Sequence, residues 1–331
     1  MDARARASKL VTVFGGSGFV GRHVVRALAR RGYRIRVAVR RPEGAFFLQP
    51  IGAVGQIQAV QANLRFDHSV VAALEGADAV VNLVGILAEG GRQSFVELHT
   101  HAPGLIAHAT KPGIPFVHMS AIGADLHSAS AYAHSKAEGE AELHTARRDA
   151  VILRPSVMFG QGDGFFNRFA TLARALPVLP LAGADTRFQP VFVGDVAEAV
   201  AMAVDGAVPG GKTYELGGPE TLTLRALVAY VLEITGRRRV VVPLPFGIAS
   251  AQAKALSLAD ALTFGLLPDA FKLTPDQVEM LRRDNVVSEE AKAEGRTLEG
   301  FGLTPRAMGA IVPGYLGRFR KTGQFDIGRA A

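Results

Sequence analysis

The sequence predicts an α/β fold: a doubly wound parallel sheet with helices on both faces and a smaller C-terminal α/β lobe. Three observations carry this. The apolar run Leu10 to Phe14 leads directly into the turn Gly15-Gly16-Ser17-Gly18, after which Val20, Val24, Val25 and Leu28 recur at helical spacing. Short β-branched runs then alternate with helical patterns through the first half, which requires crossover connections and hence a parallel sheet. Finally, 331 residues, 48% hydrophobic and 20% charged, suffice for a large globular core and a second lobe.

Taken in order, Tyr33 to Val39 alternates as a second strand and Ile57 to Gln61 as a third. His68 to Leu74 is a short helix, and Ala79-Val80-Val81-Asn82-Leu83-Val84-Gly85 is a fully buried strand. A helix from about Ser94 to Thr110 should kink at Pro103, which lacks an N–H. Phe116 to Ser120 is a fifth strand, Tyr132 opens a helix running to about Arg148, and Val151 to Pro155 is a sixth strand. Asp195 is the expected N-cap of a later helix. The dinucleotide-binding core is expected at 1–155 and a mixed lobe, with strands returning to the core sheet, at 156–331.

The strand, glycine turn and helix form the Rossmann pattern. The spacing satisfies both G-x-G-x-x-G and G-x-x-G-x-x-G. A pyrophosphate approaches such a turn because no Cβ intervenes, and the N–H groups at the helix start favour its charge. Gly21 lets the helix pack closely on the sheet. No carboxylate stands between Tyr33 and Pro42 to hold a ribose 2′-OH, whereas Arg40 and Arg41 suit a 2′-phosphate, so NADPH is expected and NAD less so. Asn63 and Leu64 fall where an adenine would lie, and Gly85 permits close approach of a ligand. Tyr132 and Lys136 share a helical face, where the lysine can lower the phenol's pKa and hold a nicotinamide ribose.

Composition narrows the partners. The formal charge of +7 suits an acidic surface or anionic lipid, but the arginines are scattered, there is no Trp, and no nucleic-acid-binding motif is present. There is no cysteine, so disulfides and thiolate chemistry are excluded. His99 and His101 face different sides of a helix, and no metal site is expected. Asp125 and His127 near Ser120 lack a nucleophile elbow and read as loop polar groups. Met1 to Ser8 contains no apolar segment, so no cleavable targeting sequence is expected.

Through the glycine turn, Tyr132 with Lys136, Leu153-Arg154-Pro155, Val193-Gly194-Asp195-Val196 and Gly217-Gly218-Pro219, the chain resembles the short-chain dehydrogenase/reductase superfamily in its extended and atypical branch. More narrowly it resembles the NAD(P)H-binding accessory subunits of respiratory complex I (NADH:ubiquinone oxidoreductase). That likeness rests on Val13 to Arg22, Phe159-Gly160, Phe165-Phe166-Asn167-Arg168-Phe169, Tyr214 to Pro219, Leu273 to Val278 and Asp284 to Val287. Together the residues and the resemblance imply a cofactor-binding set of Gly15, Ser17, Gly18, Phe19, Val20, Arg40, Arg41, Asn63, Leu64, Val84, Gly85, Ser120, Tyr132, Lys136 and Pro155.

Ile122 departs from the enzyme pattern, since extended reductases place a Ser or Thr there. His99 stands where Asn is frequent, and Asn63 where many relatives carry Asp. The resemblance therefore implies tight cofactor binding with Tyr132 and Lys136 vestigial. It also implies partners among complex I subunits at the membrane-proximal end of the peripheral arm, on the cytoplasmic side of the inner membrane. The alternative is a free-standing NAD(P)H-dependent reductase, epimerase or dehydrogenase acting on a sugar-like or hydroxylated substrate. The apolar stretch at 244–268 carries mid-segment charges and prolines that argue against a membrane span. An interfacial or a core helix remains, and contact with a membrane-proximal partner is expected. Arg237-Arg238-Arg239 and Arg318-Phe319-Arg320-Lys321 read as solvated runs or docking groups.

Overall fold

A computed structural model describes residues 6–262, 268–321 and 323. The chain divides into two compact units. The first comprises Met1–Pro155, Val193–Leu216 and Val287–Thr304; the second comprises Ser156–Phe192, Gly217–Val286 and Pro305–Ala331.

The first unit holds a seven-stranded, wholly parallel sheet. Its strands are β1 (Leu10–Phe14), β2 (Arg34–Val39), β3 (Ile57–Gln61), β4 (Ala79–Asn82), β5 (Phe116–Met119), β6 (Val151–Pro155) and β7 (Thr213–Leu216). They lie in the order β7-β6-β5-β4-β1-β2-β3. Val11, Val13, Val80, Val81, Val117, Ile152 and Leu153 are fully buried, as the apolar runs require when helices cover both faces. The helices are α1 (Phe19–Arg30), α2 (Asp67–Leu74), α3 (Ala102–Ala109), α4 (Ala131–Ala146) and α5 (Val193–Val204). Strand order reverses between β1 and β4, the place where an open α/β sheet forms a ligand crevice.

Several boundaries differ from the sequence expectation, each for a local reason. The strand expected to reach Gly85 ends at Asn82, whose Oδ1 accepts the Val84 N–H at 3.1 Å and turns the chain away. The kinked helix is a π-helical turn, Val96–His101, followed by α3, so the missing N–H of Pro103 falls near the start of a fresh α-helical segment. α4 stops at Ala146 because Arg147 is drawn inward to the carbonyls of Lys111 and Ile114 at 3.1 and 2.7 Å. Asp195 is not an N-cap: the chain passes from Phe192 straight into α5, leaving Asp195 buried within the first turn.

The second unit buries Phe159, Phe166, Leu227, Val228, Val312 and Leu316 among the helices Phe166–Ala175, Leu224–Ile234 and Met308–Leu316. The Phe-Phe-Asn-Arg-Phe segment is structural here. Phe165 packs edge-on against Phe166 and Phe169, and Arg168 Nε donates to the Ala270 carbonyl at 3.1 Å. In the two arginine runs Arg238 and Lys321 are exposed, as solvated charges are, whereas four arginines bond to the protein. Arg239 Nε donates to Ala173 O at 2.7 Å and Arg320 Nε to Ile234 O at 3.1 Å, so both satisfy carbonyls at helix C-termini. Arg237 holds Phe319 O, and Arg318 holds Asn167 Oδ1.

Within the 244–268 stretch, Phe246–Leu262 is a helix with two different faces. Ala249 and Ala253 are buried with Val278, while Ile248, Leu258 and Leu262 are 58, 62 and 72% exposed. Phe264, Leu266 and Leu267 lie outside the described residues. Among the described residues no helix is long and apolar enough to cross a membrane.

Candidate functional site

The glycine turn is built by close approaches that exclude side chains. Gly15 sits at φ +77°, a left-handed conformation that favours glycine, and its N–H donates to Ala38 O at 3.3 Å. A Cβ on Gly21 would stand 2.3 Å from the Gly15 carbonyl oxygen, so α1 lies against the turn only because that position is glycine. Gly18 caps α1 with no side-chain hydrogen bond, and the first turn of the helix has no acidic residue. Its leading N–H groups are thus left for an anion.

Above this turn lies a cavity of about 600 Å³, within the range of small-molecule and cofactor clefts. Gly15, Ser17, Gly18, Arg40, Asn63, Leu64, Val84 and Gly85 line it, so eight of the residues singled out in the sequence meet in one place. Phe19 and Val20 open α1 and do not line it, nor does Arg41, which is exposed and precedes a 3₁₀ segment, Pro42–Ile51. Asn63 Oδ1 accepts the Arg65 N–H at 3.2 Å, and Ser69 Oγ holds both the N–H and the carbonyl of Asn63. This local turn fixes the backbone of Asn63 on the cavity wall.

Sequence reasoning missed two cationic lining residues, Arg65 and Arg92. Arg65 follows β3 much as Arg40 follows β2, a parallel that was readable. Arg92 sits in an irregular segment with no periodicity to mark it.

Ser120, Tyr132, Lys136 and Pro155 lie outside the cavity lining, and Gly85 connects the two regions. A Cβ on Gly85 would be 3.2 Å from Lys136 Nζ. Lys136 is buried and donates to Met119 O at 3.2 Å; burial lowers its pKa from 10.5 to about 8, opposed by the nearby Glu140 carboxylate. Tyr132, half-buried, meets the His99 ring edge-on at 5.3 Å between centroids. Pro155 O accepts the Ile122 N–H at 3.1 Å.

His99 is a positioned neutral imidazole. Its Nε2 accepts the Ile86 N–H at 3.0 Å, so Nδ1 carries the proton toward Ser135 Oγ at 3.1 Å, and that hydroxyl in turn donates to Tyr132 O at 2.9 Å. Burial, then the charge of Lys136, push its pKa down to about 3. His118 is held neutral likewise, mainly by burial; its Nδ1 accepts from Asn82 Nδ2 at 3.2 Å. The His118 Nε2 and Ser120 Oγ atoms are buried without a hydrogen-bond partner.

Ile122 is 8% exposed and packs with Val287 and Ala291 in a small apolar cluster. An apolar contact therefore occupies the position where the resemblance calls for a hydroxyl. Asp125 and His127 form a loop turn, Asp125 Oδ1 accepting the His127 N–H at 2.9 Å. Among the described residues no group of three or more His, Asp or Glu is placed to hold a metal ion.

The residues present fit a nicotinamide dinucleotide. An uncapped helix start faces the turn, Gly85 leaves room beside Lys136, and Ser120 Oγ, directly after β5, is an orphaned polar atom. When bound, such a cofactor supplies hydride-transfer chemistry.

Comparison with known proteins agrees. Residues 11–217 match the NAD dependent epimerase/dehydratase family. The chain is 33% identical over 329 residues to NADH dehydrogenase (ubiquinone) 1 alpha subcomplex subunit 9, mitochondrial, of Arabidopsis thaliana, covering 97% of this chain and 80% of that protein. It is 33% identical over 304 residues to the protein of the same name from Rattus norvegicus, covering 90% of this chain and 77% of the relative. In fold it is similar to the NADPH-dependent quinone oxidoreductase of Escherichia coli solved with NADPH, with a TM-score of 0.67, 22% identity, and coverage of 91% and 97% of the two chains. The chain belongs to the NAD dependent epimerase/dehydratase family and, within it, to the family of the NADH dehydrogenase 1 alpha subcomplex subunit 9 proteins.

Proposed function

We propose that this chain is a non-catalytic accessory subunit of NADH:ubiquinone oxidoreductase that holds NADPH to stabilise or sense. The observation that carries this is Ile122, buried against Val287 and Ala291, in a chain 33% identical to a subunit named for that complex. Without a hydroxyl to orient a substrate oxygen beside Tyr132, acid–base chemistry loses a partner commonly worth orders of magnitude in rate. Arg40 in the cavity, with no carboxylate between Tyr33 and Pro42, supports NADPH over NADH.

The subunit sits at the membrane-proximal end of the peripheral arm, on the cytoplasmic side of the inner membrane. Exposed Ile248, Leu258 and Leu262, together with a net charge of +7, support contact there with partner subunits and anionic head groups.

The rival is a free-standing reductase or epimerase, favoured by the intact Tyr132 and Lys136 pair on α4. The Tyr132→Phe variant separates them. Electron transfer by the parent complex should be unchanged in it; steady NADPH oxidation by a carbonyl substrate, abolished by Tyr132→Phe, would hand the case to the enzyme.

A further inference from the structure

We propose that Arg92 is a pyrophosphate ligand, closing on the dinucleotide from the side of the cleft opposite Arg40. This rests on the nucleotide-holding reading above. The turn that carries Arg92 is closed by two backbone hydrogen bonds. Gly90 N donates to Gln93 O at 3.1 Å and Gln93 N to Gly90 O at 3.0 Å, while Gly91 takes φ +58°. The turn is also pinned at its base. Glu89 Oε1 accepts the Phe95 N–H at 2.7 Å, and Phe95, itself buried, stacks on the His99 ring at 5.1 Å between centroids.

Strand order then determines which part of the ligand Arg92 meets. Across the crevice the strands run β4, β1, β2, β3. The glycine turn follows β1 and receives the pyrophosphate; Arg40 follows β2 and Arg65 follows β3, both on the adenosine side. The segment bearing Arg92 follows β4, on the other side of the glycine turn, yet Arg92 lines the same cavity as Gly15 and Gly18. Among the described residues the guanidinium groups of Arg40, Arg65 and Arg92 have no hydrogen-bond or ion-pair partner, and Glu97 is the single carboxylate that lines the cavity with them.

Three unpaired guanidiniums against one carboxylate match a ligand that carries a diphosphate and a third phosphate. Leaving such cations unpaired at one cleft brings no stability to the apo chain, whereas a guanidinium fork meets two phosphate oxygens at once. Arg92 thus supplies the contact common to NADPH and NADH, and Arg40 the contact that distinguishes them.

The test is calorimetric titration of the full chain with NADPH, NADH and adenosine 2′-monophosphate, for the wild type, Arg92→Ala and Arg92→Lys. Arg92→Ala should weaken both dinucleotides by the same factor, about tenfold, and leave the monophosphate unchanged. Arg92→Lys should recover part of the loss, and the melting temperature without nucleotide should not move in either variant. Unchanged dinucleotide affinity in Arg92→Ala, or a loss confined to NADPH, overturns the assignment while the cofactor reading stands. A wild-type chain that binds neither dinucleotide overturns the cofactor reading and the assignment with it.

Discussion

Lys136 Nζ donates to Met119 O at 3.2 Å and stands 3.2 Å from the point where a Cβ on Gly85 would lie. The ammonium is therefore held in a buried pocket that opens toward the cleft only because residue 85 has no side chain. Burial lowers its pKa from 10.5 to about 8, so between those values the unfolded chain binds a proton that the folded chain has lost. Stability then rises with pH across that window, and below pH 8 the buried charge costs the fold its full penalty. Lys136→Met should be more stable than wild type at pH 7, by at most about 3 kcal/mol, with the advantage fading as pH approaches 10.5. Denaturant midpoints as a function of pH check this.

Cofactor selectivity should reside in Arg40. Arg40→Asp replaces a charge-assisted pair with a repulsion, so NADPH affinity should fall by about a hundredfold or more while NADH changes far less. Titration calorimetry with both cofactors is the measurement, and equal losses would remove the 2′-phosphate assignment.

Ile122 is a packing residue in this chain. Ile122→Ser places a hydroxyl against Val287 and Ala291 and should destabilise the first unit by about 3 kcal/mol. Thermal unfolding reports the loss.

The exposed face of the helix Phe246–Leu262 should serve assembly rather than folding. Leu258 and Leu262 are four residues apart and 62 and 72% exposed, so Leu258→Glu with Leu262→Glu should leave thermal stability within about 0.5 kcal/mol and nucleotide binding intact. The same pair should release the chain from membranes. Each basic group near an anionic surface contributes only about 1 kcal/mol and is screened by salt, so the apolar contact must hold it.

The sheet and the glycine turn were legible because both rest on local pattern. Buried parallel strands such as Val151–Pro155 read as apolar runs, and a turn that forbids Cβ atoms reads as glycines. What escaped depends on tertiary partners. Arg239 and Arg320 look like solvent charges until the helix ends they satisfy are in place, and Asp195 looks like a cap until the chain from Phe192 is seen to enter the helix directly. Arg92 carries no sequence signal at all, because its importance comes from a turn folded back over a cleft. Ile122 was identified as a departure by its position, but its apolar neighbours Val287 and Ala291 lie more than a hundred residues away in sequence.

Whether the chain holds NADPH as a silent part of a respiratory assembly is decided by native electrophoresis of detergent-solubilised membranes from the source, followed by acid or heat release of bound nucleotide. The chain should comigrate with NADH:ubiquinone oxidoreductase activity, and the isolated band should release NADPH in stoichiometric amount, with release lost in Gly18→Val. A chain that migrates alone as a soluble monomer and turns NADPH over with a carbonyl substrate would contradict the account.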